Sequence, residues 1–337
     1  MAKIRSMEEF AAASGISRPT LSKYFSDPSS VRKSTRQRIE TALVEHEYRP
    51  NIFAISQNRK RPMNVGILIP HLTDPYFAEL VRHIEARCAS MGFWAIILSS
   101  HGDPDLEERA LRTLLSLKLA GAIVAPLGTR SNCDTFKALC KELPIVFLDS
   151  RIDLEVPFVG TDNRASIELL VEYLVRTGEP PCFLDMPHVN QNALERRQAF
   201  EEAARKAKFE PHVIPARTLD WNFEQIGFDV VTAYLRGSGL PSRTLLCAND
   251  RLAFGALAAA YKSGLKVGRE DNADLRIAGH DDHPLSRFAC PSLTTIAQDY
   301  EGLASSAFDI LVGRLDGEEN MPTSELLSSR LVMRDSA

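Results

Sequence analysis

Residues 6–25 read SMEEFAAASGISRPTLSKYF, and the organisation of the chain follows from this stretch. Ser6-Met7-Glu8-Glu9 forms a capping box, in which the Ser6 hydroxyl and the Glu9 carboxylate each satisfy an orphan amide at a helix start. Met7, Phe10 and Ala11 then recur at helical spacing. Ser14-Gly15-Ile16 reads as a tight turn, since Gly15 takes a positive φ without steric cost. Ser17 caps a second helix that holds Pro19 in its first turn, where a missing amide costs little. Leu21 and Phe25 face inward from it. Ser34-Thr35-Arg36-Gln37 is a second capping box and predicts a third helix carrying Ile39, Ala42 and Leu43. Three short helices, the first two joined by a glycine turn, describe a helix-turn-helix unit. In such a unit the second helix enters the major groove. Arg18 and Lys23 then suit guanine O6 and N7, while Thr20 and Ser22 suit phosphate oxygens. Caps and apolar spacing alone fit a protein-binding three-helix bundle equally well.

Charge separates the head from the rest. Of 40 Lys/Arg and 44 Asp/Glu, residues 1–61 hold 12 and 6, leaving 28 and 38 to residues 62–337. The total of −4 is therefore a head of +6 on a body of −10, which points to an anionic polymer as the partner of the head. No run of about 18 apolar residues exists, so no membrane partner is expected. The first residues, with Glu8 and Glu9, do not form a signal peptide. Six scattered cysteines without a C-x-x-C pair predict neither a disulfide framework nor structural zinc, and fit reduced thiols in a cytoplasmic protein.

Ile4 to Asn51 resembles the DNA-binding headpiece of LacI/GalR-type transcriptional regulators. The likeness rests on Ala11, Gly15-Ile16-Ser17, Thr20-Leu21-Ser22-Lys23, Ser34-Thr35-Arg36 and Tyr48-Arg49-Pro50-Asn51, and continues through nearly the whole chain. It implies base reading by Arg18, Pro19 and Lys23 and phosphate contacts at Thr20 and Ser22, with Ser6, Ser17, Arg32 and Asn51 also at the DNA. Pro19 departs from the usual polar residue and offers only apolar contact. Residues 51–61 match a hinge helix of the minor groove at Ala54 and Ser56. The wedging leucine is replaced by Gln57, and the polar residue expected at position 55 by Ile55. Either Ile55 or Phe53 is the wedge, or the operator is bent less than in similar regulators.

From Val65 onward, apolar runs alternate with helical patterns. Strands are expected at Val65–Pro70, Phe93–Ser99, Gly121–Ala125, Ile145–Leu148, Cys182–Asp185, His212–Pro215, Thr244–Cys247 and Leu275–Gly279, with helices between them. Repeated strand-helix-strand units imply two doubly wound parallel sheets, whose ligands bind beyond the carboxyl ends of the strands. That rule selects Asp74, Tyr76, Phe77, Asp149, Asn249, Asp250, Asp281 and Asp282. The resemblance implies a periplasmic-binding-protein-like effector domain (type I) with three crossings, near Thr161, Cys290 and Met321. It places Asp74, Tyr76, Phe77, Asp149, Arg196, Trp221, Asn249 and Asp281 at the effector. A sugar or sugar derivative fits acids, amides and an aromatic face, while a purine or an acidic metabolite is the alternative. Asp250 also reads as a helix cap, Asp162 and Asn163 as a turn and cap, and one of Arg196 and Arg197 as a surface group.

The expected fold is thus an all-α helix-turn-helix headpiece (1–50), a hinge (51–61) and an α/β effector domain (62–337). Its N-subdomain spans about 62–160 and 292–321, and its C-subdomain about 161–291 and 322–337. Gly279-His280-Asp281-Asp282-His283 lacks the spacing of a metal site, and no P-loop, nucleophile elbow or dinucleotide fingerprint appears. No catalytic residue, metal or cofactor is expected. The chain reads as a repressor of a catabolic operon, a homodimer on a double-stranded, pseudo-palindromic operator, switched by a small molecule. Dimer contacts are expected from Leu80, Ile84, Phe254 and Leu257. A solute-binding protein with no role at DNA is the rival, disfavoured by the folded basic head.

Overall fold

The computed structural model describes residues 4, 6–49, 62–216, 218–318 and 322–337. The hinge, with Asn51, Phe53, Ala54, Ile55 and Gln57, lies outside the described residues. The chain divides into two compact units, one of residues 1–64 with 117–120, the other of the remainder.

The head contains α1 (Met7–Ser14), α2 (Arg18–Ser26) and α3 (Lys33–Glu45). The Ser6–Glu9 capping box forms, Gly15 ends α1 at φ 62°, and the Arg38 guanidinium clamps the Gly15 carbonyl at 3.0 Å. Ser17 caps α2, with Pro19 in its first turn. The second expected box does not form. α3 starts two residues earlier, capped by the backbone of Arg32 without a side-chain bond, because Val31 packs against the core and fixes the entry of the chain. Phe10, Ile16, Leu21, Tyr24, Ile39, Ala42 and Tyr48 make that core, and Phe25 is only partly buried.

In the second unit the first sheet runs β11-β5-β4-β3-β1-β2 and the second β7-β6-β8-β9. Their described pairings are all parallel. The first sheet comprises β1 (Asn64–Ile69), β2 (Trp94–Ser99), β3 (Gly121–Val124), β4 (Ile145–Leu148), β5 (Phe158–Thr161) and β11 (Ser324–Leu327). Its helices are α4 (Pro75–Ser90), α5 (Pro104–Ser116), α6 (Cys133–Glu142) and α11 (Tyr300–Asp316). The second comprises β6 (Cys182–Leu184), β7 (Val213–Ile214), β8 (Thr244–Cys247) and β9 (Arg276–Ala278), with α7 (Asn163–Thr177), α8 (Gln191–Lys206), α9 (Phe223–Arg236) and α10 (Asp250–Lys262). A ribbon of β10 (Thr295–Ala297) and antiparallel β12 (Arg330–Val332) lies at the junction.

The eight expected strands form. β5, β10, β11, β12 and α11 are additions, and they move two crossings. Backbone bridges hold Thr294 to Ala278 and Ala297 to Asp281, so the chain leaves the second lobe after Ala297, not near Cys290. β11 pairs with β5 in the first sheet, so the last crossing follows Leu327, not Met321. Leu80 and Ile84 are fully buried beneath α11, and Leu257 is buried in its own lobe, so these residues serve the protomer core and not a dimer face.

Candidate functional site

On α2 the exposed residues Arg18, Pro19 and Lys23 lie on the outward side, with Thr20 and Ser22 half-buried between them. The Ser17 and Thr20 hydroxyls bond each other at 2.8 Å, so the cap also fixes Thr20. Arg32 is exposed at the start of α3, and Ser6 is half-buried at the start of α1. The head thus presents cations, hydroxyls and one proline, with an apolar core behind them.

In the body, the acids at strand ends converge. Asp149 follows β4 and Asp281 follows β9, at φ 66° and 121°. Non-glycine residues in such conformations cost on the order of 1–3 kcal/mol and collect at functional sites. The Tyr76 hydroxyl donates to Asp149 Oδ1 at 2.6 Å. Burial pushes the Asp149 carboxyl up to about 6, although Tyr76 and Arg196 favour its charge. Asp281 Oδ1 meets Arg196 at 3.1 Å, the Gln298 amide at 2.7 Å and His280 Nδ1 at 2.9 Å. Burial raises the Asp281 carboxyl, but Arg196 and these bonds outweigh it and hold the group below the usual range. Arg196 uses every nitrogen, since its Nε donates to Asn163 Oδ1 at 2.9 Å and its Nη1 to the Ala248 carbonyl at 2.8 Å. Arg197, its neighbour, is the half-exposed one and pairs with Glu201.

Contacts cross between the lobes. Arg251 of α10 reaches Asp74, the cap of α4, at 3.0 Å while its other edge forks onto Glu224 at 2.7 and 2.6 Å. Trp221 is buried between His71, Phe77 and Phe223, with ring centroids 4.9, 6.3 and 5.6 Å away. Its indole face is therefore covered by protein, and a ring-covering role requires these neighbours to part. The buried Trp221 Nε1 has no described hydrogen-bond partner.

Asn249, selected as an effector contact, caps α10 by accepting from the Leu252 amide at 2.8 Å. Asp250, expected to be that cap, lies one residue inside. Its fully buried carboxylate accepts from Ser286 and Thr295 hydroxyls at 2.6 Å each and from the His283 amide at 2.8 Å. The Asp250 Oδ1 occupies the space where a side chain on Gly279 would stand. Asp282 turns to Arg334 at 2.6 Å, away from this cluster.

The network contains residues that sequence reasoning left out. Gln298 and Tyr300 join it from the segment after β10, Tyr300 donating to the Asp281 carbonyl at 2.7 Å. Both obey the strand-end rule, and recognising β10 would have found them. Asn163, read as a cap, instead links Arg196 to Asn192 and Glu195, while Asp162 is the cap of α7. His280 lies under Asp281, its Nε2 2.9 Å from the Ser166 hydroxyl. Burial, then Arg196, lowers its imidazole to about 4. Because this value lies below that of an unfolded histidine, the unfolded chain binds the extra proton between about pH 6.5 and 4, and folding is weakened there. His280→Asn, which keeps a donor toward Asp281, should therefore gain stability relative to the parent at pH 5 compared with pH 7.5. Melting curves at both pH values test this, and an unchanged difference refutes it. Among the described residues no cluster of His, Cys, Asp and Glu is suited to a metal, and no helix is long and apolar enough to cross a membrane.

Comparison with known proteins accounts for both units. The family of periplasmic binding proteins and sugar-binding domains of the LacI family matches residues 63–306, and the lacI family of bacterial regulatory proteins matches residues 6–51. The HTH-type transcriptional repressor CytR of Escherichia coli (strain K12) is 28% identical over 339 residues, covering 98% of this chain and 95% of the relative. The HTH-type transcriptional repressor PurR of Haemophilus influenzae (strain PittEE) is 26% identical over 312 residues, covering 92% and 90%. The Lac repressor bound to ONPG in the repressed state aligns with TM-score 0.84 at 26% identity, covering 99% of this chain and 100% of that one. The Lac repressor dimer bound to operator and the anti-inducer ONPF gives 0.83 at 25% identity, with 99% of each covered. A helix-turn-helix head matched at residues 6–51 and a two-lobed α/β body matched at residues 63–306 place this chain in the LacI family of DNA-binding transcriptional regulators.

Proposed function

We propose that the protein is a cytoplasmic repressor whose operator affinity is switched by a neutral, hydroxyl-rich molecule, a sugar or sugar derivative, bound between the lobes. One observation carries the ligand class. Both cleft guanidiniums are already neutralised, Arg196 by Asp281 and Arg251 by Asp74 and Glu224, while Asp149 is satisfied by a hydroxyl. Surplus carboxylates accept from vicinal hydroxyls, whereas an anionic ligand has to displace an acid from its arginine. The aromatic rings of Tyr76, Phe77, Trp221 and Tyr300 also suit a planar base, which keeps a purine as the second reading.

Asp74, Tyr76, Phe77, Asp149, Arg196, Trp221 and Asp281 are the proposed contacts, with Asn249 shaping the site as a cap. The protein works by binding and not by catalysis. Two copies read a pseudo-palindrome through paired heads, with Ala54, Ile55 and Gln57 of each hinge at the minor groove. Their contact is proposed along the sheet edge at β2, where Trp94 is 67% exposed, in place of Leu80 and Ile84. Ligand acts by differential affinity for two lobe arrangements, since equal affinity shifts nothing.

A thermal-shift panel tests the ligand class. Neutral sugars are expected to raise the melting temperature of the body, at 100 times their dissociation constant by the equivalent of about 2.7 kcal/mol. Sugar phosphates and organic acids should do less. Stabilisation by anions alone overturns the charge argument, and stabilisation by purines alone selects the second reading.

A further inference from the structure

Arg18, the first residue of α2, meets Glu8 in the first turn of α1, with Nε 2.8 Å from the carboxylate Oε1. Their side chains are 65% and 62% exposed, so neither is held by burial. We propose that Glu8 is a specificity-determining residue that holds the Arg18 guanidinium in the pose that reads guanine. The proposal rests on α2 entering the major groove.

The atoms engaged make the case. A guanidinium has three donor edges, and the ion pair occupies the Nε side. The two terminal nitrogens remain, and these are the parallel donors that bond guanine O6 and N7 together. Along the exposed start of α2, Pro19 offers no donor and Lys23 is a flexible point charge, so Arg18 is the planar fork of this surface. An unrestrained arginine samples many rotamers and loses that freedom on reading a base. One tethered at Nε has already lost much of it.

The sign of the charge is informative too. An acid beside the DNA-facing end of α2 repels phosphates and weakens binding to every sequence. If it also orients Arg18, the same carboxylate lowers general affinity and raises selectivity. Those two effects separate experimentally, and exposed ion pairs contribute so little to folding that the head stays intact when the pair is removed.

The experiment uses the full chain, selecting sites from duplexes with a randomised core, and titrating a non-specific duplex at fixed salt. The parent is expected to select guanine at one position of each half-site, and Arg18→Ala to lose that preference. Glu8→Gln should lower the guanine preference there by up to about fivefold while increasing affinity for the non-specific duplex. Glu8→Asp, too short to reach, should lower the preference without that increase. A guanine preference unchanged or sharpened in Glu8→Gln overturns the positioning role and leaves Glu8 as a repulsive or masking charge. Selection unaltered in Arg18→Ala, or no selected sequence for the parent, overturns the base reading beneath it.

Discussion

Phe10→Ala is expected to abolish operator binding while the effector-binding body keeps its melting temperature. Phe10 is fully buried and stacks on Tyr48 with centroids 4.5 Å apart, closing a core that also holds Leu21 and Ile39. Emptying a core phenylalanine site costs about 3–5 kcal/mol. A hydrophobic core of this size rarely supplies more than about 3–5 kcal/mol in total. The loss therefore equals the whole stability of the head, and α2 loses the frame that aims it. Fluorescence anisotropy on a selected duplex measures binding, and calorimetry follows the body. Binding within threefold of the parent, or a body that melts earlier, defeats the prediction.

Arg196→Met has the second large effect, in the body. The substitution removes the cation from buried Asp281 and leaves Asn163 Oδ1 and the Ala248 carbonyl short of a donor. Removing one partner of a buried ion pair costs about 3–5 kcal/mol, because the other charge stays buried without compensation. In a domain of this size each kcal/mol lowers the melting temperature by about 2–4 °C, so a drop of roughly 6–20 °C is expected. The Asp281 carboxyl titrates below its unfolded value, so its contribution is complete above the ordinary carboxylate range and is lost as pH falls through the depressed value. In the variant, burial raises the uncompensated Asp281 carboxyl above its value in the parent, so the difference should be largest at neutral pH and shrink as pH falls and the stranded acid takes up a proton. Adding Asp281→Asn removes the stranded charge and should restore part of the loss. A single variant melting within a degree of the parent, or a double variant that is simply additive, contradicts this account.

Much of the architecture was legible before any side chain was placed. Ser6 and Glu9, Gly15, and Ser17 with Pro19 act within one turn, so a single sequence carries their signal. The capping box at Ser34 misled because Val31, packing into the head, chose the helix start. The inner strands β1, β3, β4, β6 and β8 are buried on both faces and read as apolar runs. β10, β11 and β12 are only three or four residues long and take their meaning from partners far along the chain. α11 was readable from Asp299 as a cap, Gly317 at its end and the Leu303, Ala307 and Leu311 spacing, yet no expectation covered it.

The sequence by itself determined the two-part plan, a head of +6 and a body of −10, the order of eight strands and the helices between them, and the acids at strand ends. Those features are local or compositional, since caps, periodicities and charge counts need no distant partner. Only the tertiary structure decided which charges meet. It put Arg196 inside and Arg197 outside, gave the cap to Asn249 and the buried carboxylate to Asp250, and spanned the cleft with Arg251 and Asp74. It also brought Gln298 onto Asp281 and Glu8 onto Arg18. Whether an ionic side chain binds a ligand or a neighbour depends on burial and on a partner within about 3 Å, and both are set by chain segments that the sequence alone leaves far apart.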